Sequence, residues 1–218
     1  MPTVSSVLFD WDGTLVESFA TTRYASLSVF EHFGIRMDEA RYQATYRPDW
    51  HETYRQLGIP EARWDEAGAI WSEKYLERSH LVDLLPHVSE TLDALAGRSL
   101  RLGVVTSADR ERFHVDLDRL GLADRFGALV AFEDTRNKKP HPEGLLLALS
   151  RLGVEPRNAL YVGDRPEDIA MGKSAGTLTA AIVSNFSHEA MLRSATPDVL
   201  LPTIRDLPGF LLESGAAR

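Results

Sequence analysis

The stretch Val7-Leu8-Phe9-Asp10-Trp11-Asp12-Gly13-Thr14-Leu15 constrains this chain more than any other, because it sets two carboxylates directly beyond an apolar run. Three large apolar side chains in succession suit a strand buried on both faces of a parallel sheet, and Gly13 supplies the turn that ends it. In extended chain, side chains two apart share a face about 6–7 Å from each other, so Asp10 and Asp12 are expected to point the same way. A hard cation or a phosphoryl group could then sit between them. Taken alone, Asp-Trp-Asp-Gly reads equally well as a polar turn. Crowded anions also need a positive counterpart.

Of three later segments, two repeat the pattern of apolar strand followed by polar tip and one is a basic loop. Arg101-Leu102-Gly103-Val104-Val105-Thr106-Ser107 delivers hydroxyls just before a helix expected over 109–120. Thr106 could donate to a phosphate oxygen, although helix-entry residues of this type are ordinary caps. Lys138-Lys139-Pro140-His141-Pro142 offers ammonium groups on a loop stiffened by two prolines, and it holds two of the four lysines in the chain. Lys139, next to Pro140, is the more constrained. Ala159-Leu160-Tyr161-Val162-Gly163-Asp164-Arg165-Pro166-Glu167-Asp168 is again strand, glycine and carboxylate, with Pro166 suited to the first turn of a helix. Asp168 falls one helical turn after Asp164. As isolated features these are a cap and a first-turn acid favoured by the helix dipole. Four such coincidences point instead to one site.

In order, Asp10-x-Asp12-Gly13-Thr14-Leu15, Thr106 after a hydrophobic strand, Lys139-Pro140 and Gly163-Asp164-x-x-x-Asp168 resemble the four motifs of the haloacid dehalogenase superfamily, and within it the phosphoglycolate phosphatase-like branch. The resemblance extends from Val7 to about Ala181. It implies that Asp10 is a nucleophile that takes the phosphoryl group as an aspartyl-phosphate, and that Asp12 is the general acid and base. It implies a Mg²⁺ ion on Asp10, the backbone carbonyl of Asp12 and Asp164, with Asp168 as a ligand or support. Thr106 and Lys139 would bind the transferring phosphoryl oxygens, with the backbone N–H groups of Trp11 and Ser107 as further donors.

Between the first motif and residue 86 the pattern becomes helical, with helices expected over 17–33, 38–57 and 60–78 and almost no strand signal. From residue 100 onward strands and helices alternate, as in a parallel sheet covered by helices. The expected organisation is therefore a Rossmann-like α/β core, residues 1–15 and 86–218, with helices on both faces of its sheet, and a small all-helical domain, residues 16–85, inserted after the first strand. In the resembled family such an insert is the cap over the catalytic face. Within it, Arg47 sits beside a break imposed by Pro48 and is the candidate substrate contact, against the plainer reading of a solvated surface arginine. Trp50, Trp64 and Trp71 are expected in the helical core.

The residues discriminate among the reactions of the family. Dehalogenases lack a carboxylate at the Asp12 position. Phosphonoacetaldehyde hydrolases often carry Trp after the nucleophile, as here at Trp11 where Leu is commoner, but they have Ala in place of Asp12 and use a cap lysine. The only lysine in 16–85 is Lys74. A β-phosphoglucomutase-like phosphotransferase keeps the same core residues and remains an alternative. A non-catalytic phospho-switch or binding protein of this type is expected to have lost Asp10, Asp12 or Lys139, and all three are present.

With 44% hydrophobic and 26% charged residues the chain is ordinary globular material, and its net charge of −8 disfavours nucleic acid and anionic membrane as partners. The absence of cysteine agrees with a reducing cytoplasm. The apolar start is too short for a signal peptide and passes into the first strand, no run is long enough to span a membrane, and 214–218 reads as frayed. The expected partner is a small phosphorylated metabolite, bound by a monomer or homodimer.

Overall fold

The structure, a computed structural model, describes residues 3–45, 47 and 49–213, so Pro48 and the segment 214–218 lie outside the described residues. The chain divides into two compact units: one runs up to Glu17 and resumes at Leu84, and the other is Ser18–Asp83.

The first unit is organised by six parallel strands: β1 Ser6–Phe9, β4 Arg101–Val105, β5 Ala128–Val130, β6 Ala159–Gly163, β7 Leu178–Ile182 and β8 Val199–Leu201. The intervening β2 Val16–Glu17 and β3 Asp83–Leu84 form a separate two-stranded pair. Sheet order is β5-β4-β1-β6-β7-β8. Central strands are buried at every position, as continuous apolar runs require when both faces are covered. One face carries Leu8, Val105, Val130 and Tyr161, which pack with Leu145 and Leu149 of α7 (Glu143–Leu152) and Met171 and Ala175 of α8 (Pro166–Ala175). The opposite face, with Val7, Phe9, Val104 and Val162, is equally withdrawn from solvent. Burying each such side chain contributes about 1.5–3 kcal/mol.

Register places the site. Phe9 pairs with Val104 on one side and with Val162 on the other. The residues that follow, Asp10, Thr106 and Asp164, therefore leave the sheet along one edge, the carboxyl ends of parallel strands, where open α/β sheets bind ligands.

In the second unit, α1 Phe19–His32, α2 Glu39–Thr45, α3 Trp50–Leu57 and α4 Trp64–Arg78 surround a core of Val29, Phe30, Tyr42, Tyr54, Ile59 and Ala67. Trp50, Trp64 and Trp71 pack against this core while remaining partly exposed. Two of them satisfy their indole N–H inside it, Trp64 to the Ile59 carbonyl at 3.0 Å and Trp71 to Ser26 Oγ at 3.1 Å. The helix expected over 38–57 is two helices. Asp49 starts the second by accepting from the His51 N–H at 3.0 Å, and Gly58 ends it in the left-handed region.

The first unit also contains α5 Val88–Ala96, α6 Arg110–Arg119, α9 Glu189–Ser194 and α10 Leu207–Glu213.

Candidate active site

At the carboxyl edge of the sheet three buried carboxylates and one lysine converge. Asp10 is fixed by its own N–H, which donates to the Val162 carbonyl at 2.8 Å. Lys139 Nζ donates to Asp10 Oδ1 at 2.5 Å and to Asp168 Oδ1 at 2.8 Å. Asp10, Asp164 and Asp168 each present an oxygen within 4.8 Å of the others. Asp168 is held from a second side, since its Oδ2 accepts from the Arg165 N–H at 3.1 Å in the first turn of α8. The close approach of Asp168 to the end of β6 needs glycine at 163, where a Cβ would fall 2.5 Å from the Asp168 Cγ.

Electrostatics follow from this crowding. Burial pushes the Asp10 carboxyl up to about 7; Lys139 opposes the shift, and Asp168 and Asp12 add to it. Burial likewise holds Asp164 well above the usual carboxylate range, with Asp10 and Asp168 adding to it. For Lys139 burial alone is unfavourable to the charged form, but Asp10 and Asp168 outweigh it and keep the ammonium charged well above its usual range.

The residues fit a divalent cation. The donors are hard carboxylate oxygens, the kind that Mg²⁺ takes. Asp164 Oδ1 is buried with no hydrogen-bond partner among the described residues, an arrangement that is costly unless a ligand completes it. Its other oxygen accepts from Ser184 Oγ. Gly13 makes room for this carboxylate: its φ is +80°, and a Cβ there would lie 2.9 Å from Asp164 Cγ and 2.7 Å from Phe186 Cδ2. Gly13→Ala is therefore expected to destabilise the protein by about 2–4 kcal/mol in urea unfolding, combining left-handed strain with overpacking.

Asp12 lies past the end of the strand, with its carboxylate near enough to Asp10 to raise the Asp10 carboxyl. β1 ends at Phe9, so the extended-chain rule stops applying before residue 12. Its carboxylate is taken by Arg112 of α6, with Nη1 to Oδ1 at 3.0 Å and Nη2 to Oδ2 at 2.5 Å. Among the described residues the group of carboxylates that could hold a cation is Asp10, Asp164 and Asp168. An Asp12 contribution to a metal would rest on its backbone carbonyl.

The remaining sequence candidates fall as follows. Trp11 buries its indole completely, edge-on to Phe113 at 5.0 Å between ring centres, so only its backbone could meet a substrate. Thr106 and Ser107 line a cavity shared with Lys139. Thr106 Oγ1 accepts from the Ala108 N–H at 3.0 Å, which leaves its hydrogen as the group it can offer a phosphoryl oxygen. Neither caps α6; Asp109 does, accepting from the Arg112 N–H at 2.9 Å. Arg47 lies in the helical unit between α2 and α3, where its Nη1 donates to the Ala44 carbonyl at 3.0 Å.

Three neighbours of the site were not read from the sequence. Tyr161 places its hydroxyl 3.3 Å from Asp168 Oδ1, and a polar tip inside an otherwise apolar buried strand was the available signal. Ser184, contacting Asp164 across twenty positions, gave none. Arg112 is one charge in a helix full of them.

A Rossmann-like parallel α/β unit with buried carboxylates and a lysine gathered at its strand ends defines a class of enzymes. The chain belongs to the haloacid dehalogenase-like hydrolase family, whose model matches residues 7–182. It is 32% identical over 210 residues to pyrophosphatase PpaX of Bacillus pumilus, covering 94% of this chain and 95% of that protein. It is 38% identical over 124 residues to phosphoglycolate phosphatase of Salmonella typhi, covering 57% of this chain and 49% of that protein. A hydrolase from Pseudomonas syringae shares the fold, with a TM-score of 0.86 at 21% identity over 96% of this chain and 98% of the other.

Proposed function

We propose that the protein is a Mg²⁺-dependent phosphatase that hydrolyses a small phosphorylated metabolite through an aspartyl-phosphate on Asp10. The observation that carries this reading is the buried Asp10 carboxylate, bonded to Lys139 and set beside Asp164 and Asp168 at one sheet edge. An Asp10 oxygen attacks phosphorus and the ester oxygen leaves with a proton from Asp12; the Asp12 carboxylate then takes a proton from water as that water attacks the aspartyl-phosphate, returning Asp10 and inorganic phosphate. Lys139 and the Thr106 hydroxyl hold phosphoryl oxygens, and Lys139 reduces the repulsion between Asp10 and an incoming dianion. Mg²⁺, held by Asp10 and Asp164 with Asp168 beside them, would supply positive charge against the transferring oxygens.

The names of those relatives support phosphate esters and anhydrides of low mass as the substrate class, and phosphoglycolate and pyrophosphate head the panel to screen. The Ser18–Asp83 unit is read as the cap that selects among them, with Arg47 as its candidate contact. No helix among the described residues is long and apolar enough to cross a membrane.

Purified protein is expected to release phosphate from an aryl phosphate with Mg²⁺ and to stop on addition of a chelator. Persistence of full turnover in chelator would remove the metal from the reading. Independently of activity, Mg²⁺ at about 100 times its dissociation constant is expected to stabilise the fold by about 2.7 kcal/mol, a rise of roughly 5–10 °C in Tm. Asp164→Asn should abolish that rise.

A further inference from the structure

We infer that Arg112 is a positioning residue for Asp12: it fixes the plane and place from which that carboxylate serves the leaving group. The inference rests on the phosphatase reading of the site.

Arg112 is almost fully buried, with 6% of its side chain exposed, and its guanidinium meets Asp12 as a two-point fork, 3.0 and 2.5 Å long. A planar fork on a planar carboxylate fixes orientation as well as distance, which a single-point contact does not. The fork is itself held. Asp116, one turn further along α6 and wholly buried, brings Oδ2 within 4.0 Å of Nη1, and Asp109 Oδ2 lies 3.9 Å from Nε. Arg119 Nη2 stands 3.8 Å from the other Asp116 oxygen. Four charges thus alternate from the turn after β1 into α6: Asp12, Arg112, Asp116, Arg119.

The second carboxylate distinguishes this from a simple tie between two elements. A buried cation with one counter-ion would be stranded whenever that counter-ion moved. Arg112 has Asp116 as well, so Asp12 can shift toward a bound ester without leaving the guanidinium uncompensated. Asp12 is therefore both located and releasable. In the step it serves, the Asp12 proton passes to the ester oxygen as the bond from that oxygen to phosphorus breaks. The phosphoryl group goes to an Asp10 oxygen, and a neutral alcohol and the Asp12 carboxylate remain.

The role predicts a dependence on leaving group. 2,4-Dinitrophenolate departs without a proton, whereas phenolate departs poorly without one. Arg112→Met is expected to lower kcat/KM for phenyl phosphate on the order of 10²-fold, the scale of a misplaced catalytic group, while 2,4-dinitrophenyl phosphate changes by less than about 3-fold. Arg112→Lys, with one contact point in place of two, should fall between. Because Arg112→Met takes away one of the two cations beside buried Asp116, Arg112→Met/Asp116→Leu is measured alongside; it removes the pair as a unit, should fold by circular dichroism, and should show the same selectivity. Equal losses on both esters in the folded double variant would reduce Arg112 to a structural tie and overturn the inference, as would unchanged or increased turnover of phenyl phosphate. If the parent protein with Mg²⁺ hydrolyses neither ester, the phosphatase reading falls and takes this inference with it. If the parent is active, only the role of Arg112 is at stake.

Discussion

Asp10→Asn is expected to lower phosphate release by at least about 10⁴-fold while the protein remains folded, since the group that forms the covalent intermediate would be gone. The variant should also be more stable than the parent in the absence of metal at pH 8. The sign follows from the raised carboxyl. In the folded protein the Asp10 carboxyl titrates at about 7, and in the unfolded chain near 3.8. Between those values the folded state binds more protons, so the contribution of Asp10 to stability is greatest at low pH, falls as pH rises through that window, and stays flat above it. An asparagine has no such dependence. The Tm difference between variant and parent should therefore grow from pH 4 to pH 7, and a constant difference across that range would contradict the buried, crowded site. Activity surviving the substitution would end the aspartyl-phosphate mechanism.

Lys139→Met is the second large effect, and it reads on both activity and stability. Lys139 bonds Asp10 and Asp168 from a position with 6% of its side chain exposed. Removing one partner of a buried ionic cluster typically costs about 3–5 kcal/mol, because the remaining charges stay behind uncompensated. The loss should appear in urea unfolding of metal-free protein at neutral pH. It should shrink at lower pH as Asp10 takes up its proton, and shrink again when Mg²⁺ supplies the missing charge. Turnover with Mg²⁺ should still fall on the order of 10²–10³-fold, as expected when a positioned donor to the transferring group is lost. A variant as active as the parent would take Lys139 out of the site chemistry.

The contrast between Asp12 and Asp164 shows what the sequence could carry. Asp10, Thr106 and Asp164 were legible because each follows an apolar strand, and parallel register brings such positions to one edge whatever lies between them. Asp12 lies past the end of β1, where chain direction depends on a turn and on a partner a hundred residues away, and no local pattern announces Arg112. The same distinction holds for elements. Long periodic segments such as α7 were readable, and Glu143–Leu152 matches its apolar spacing. Helix α5 carried Val88, Leu92 and Leu95 at helical spacing yet sits at the junction of two composition regimes, and α9 is too short for any period to establish itself. The two-residue β2 and β3 have no sequence signature at all.

The place of β1 in the sheet has a bearing on how the protein is made. Its two neighbours, β4 and β6, pair Ser6 with Arg101 and with Ala159, so the most apolar early segment leaves the ribosome long before either partner exists. Non-local parallel pairing of this kind assembles slowly and leaves strand edges uncovered in the interval. During synthesis the residues of Ser18–Asp83 emerge before either sheet partner of β1, so β1 waits without its neighbours until the second half of the chain arrives.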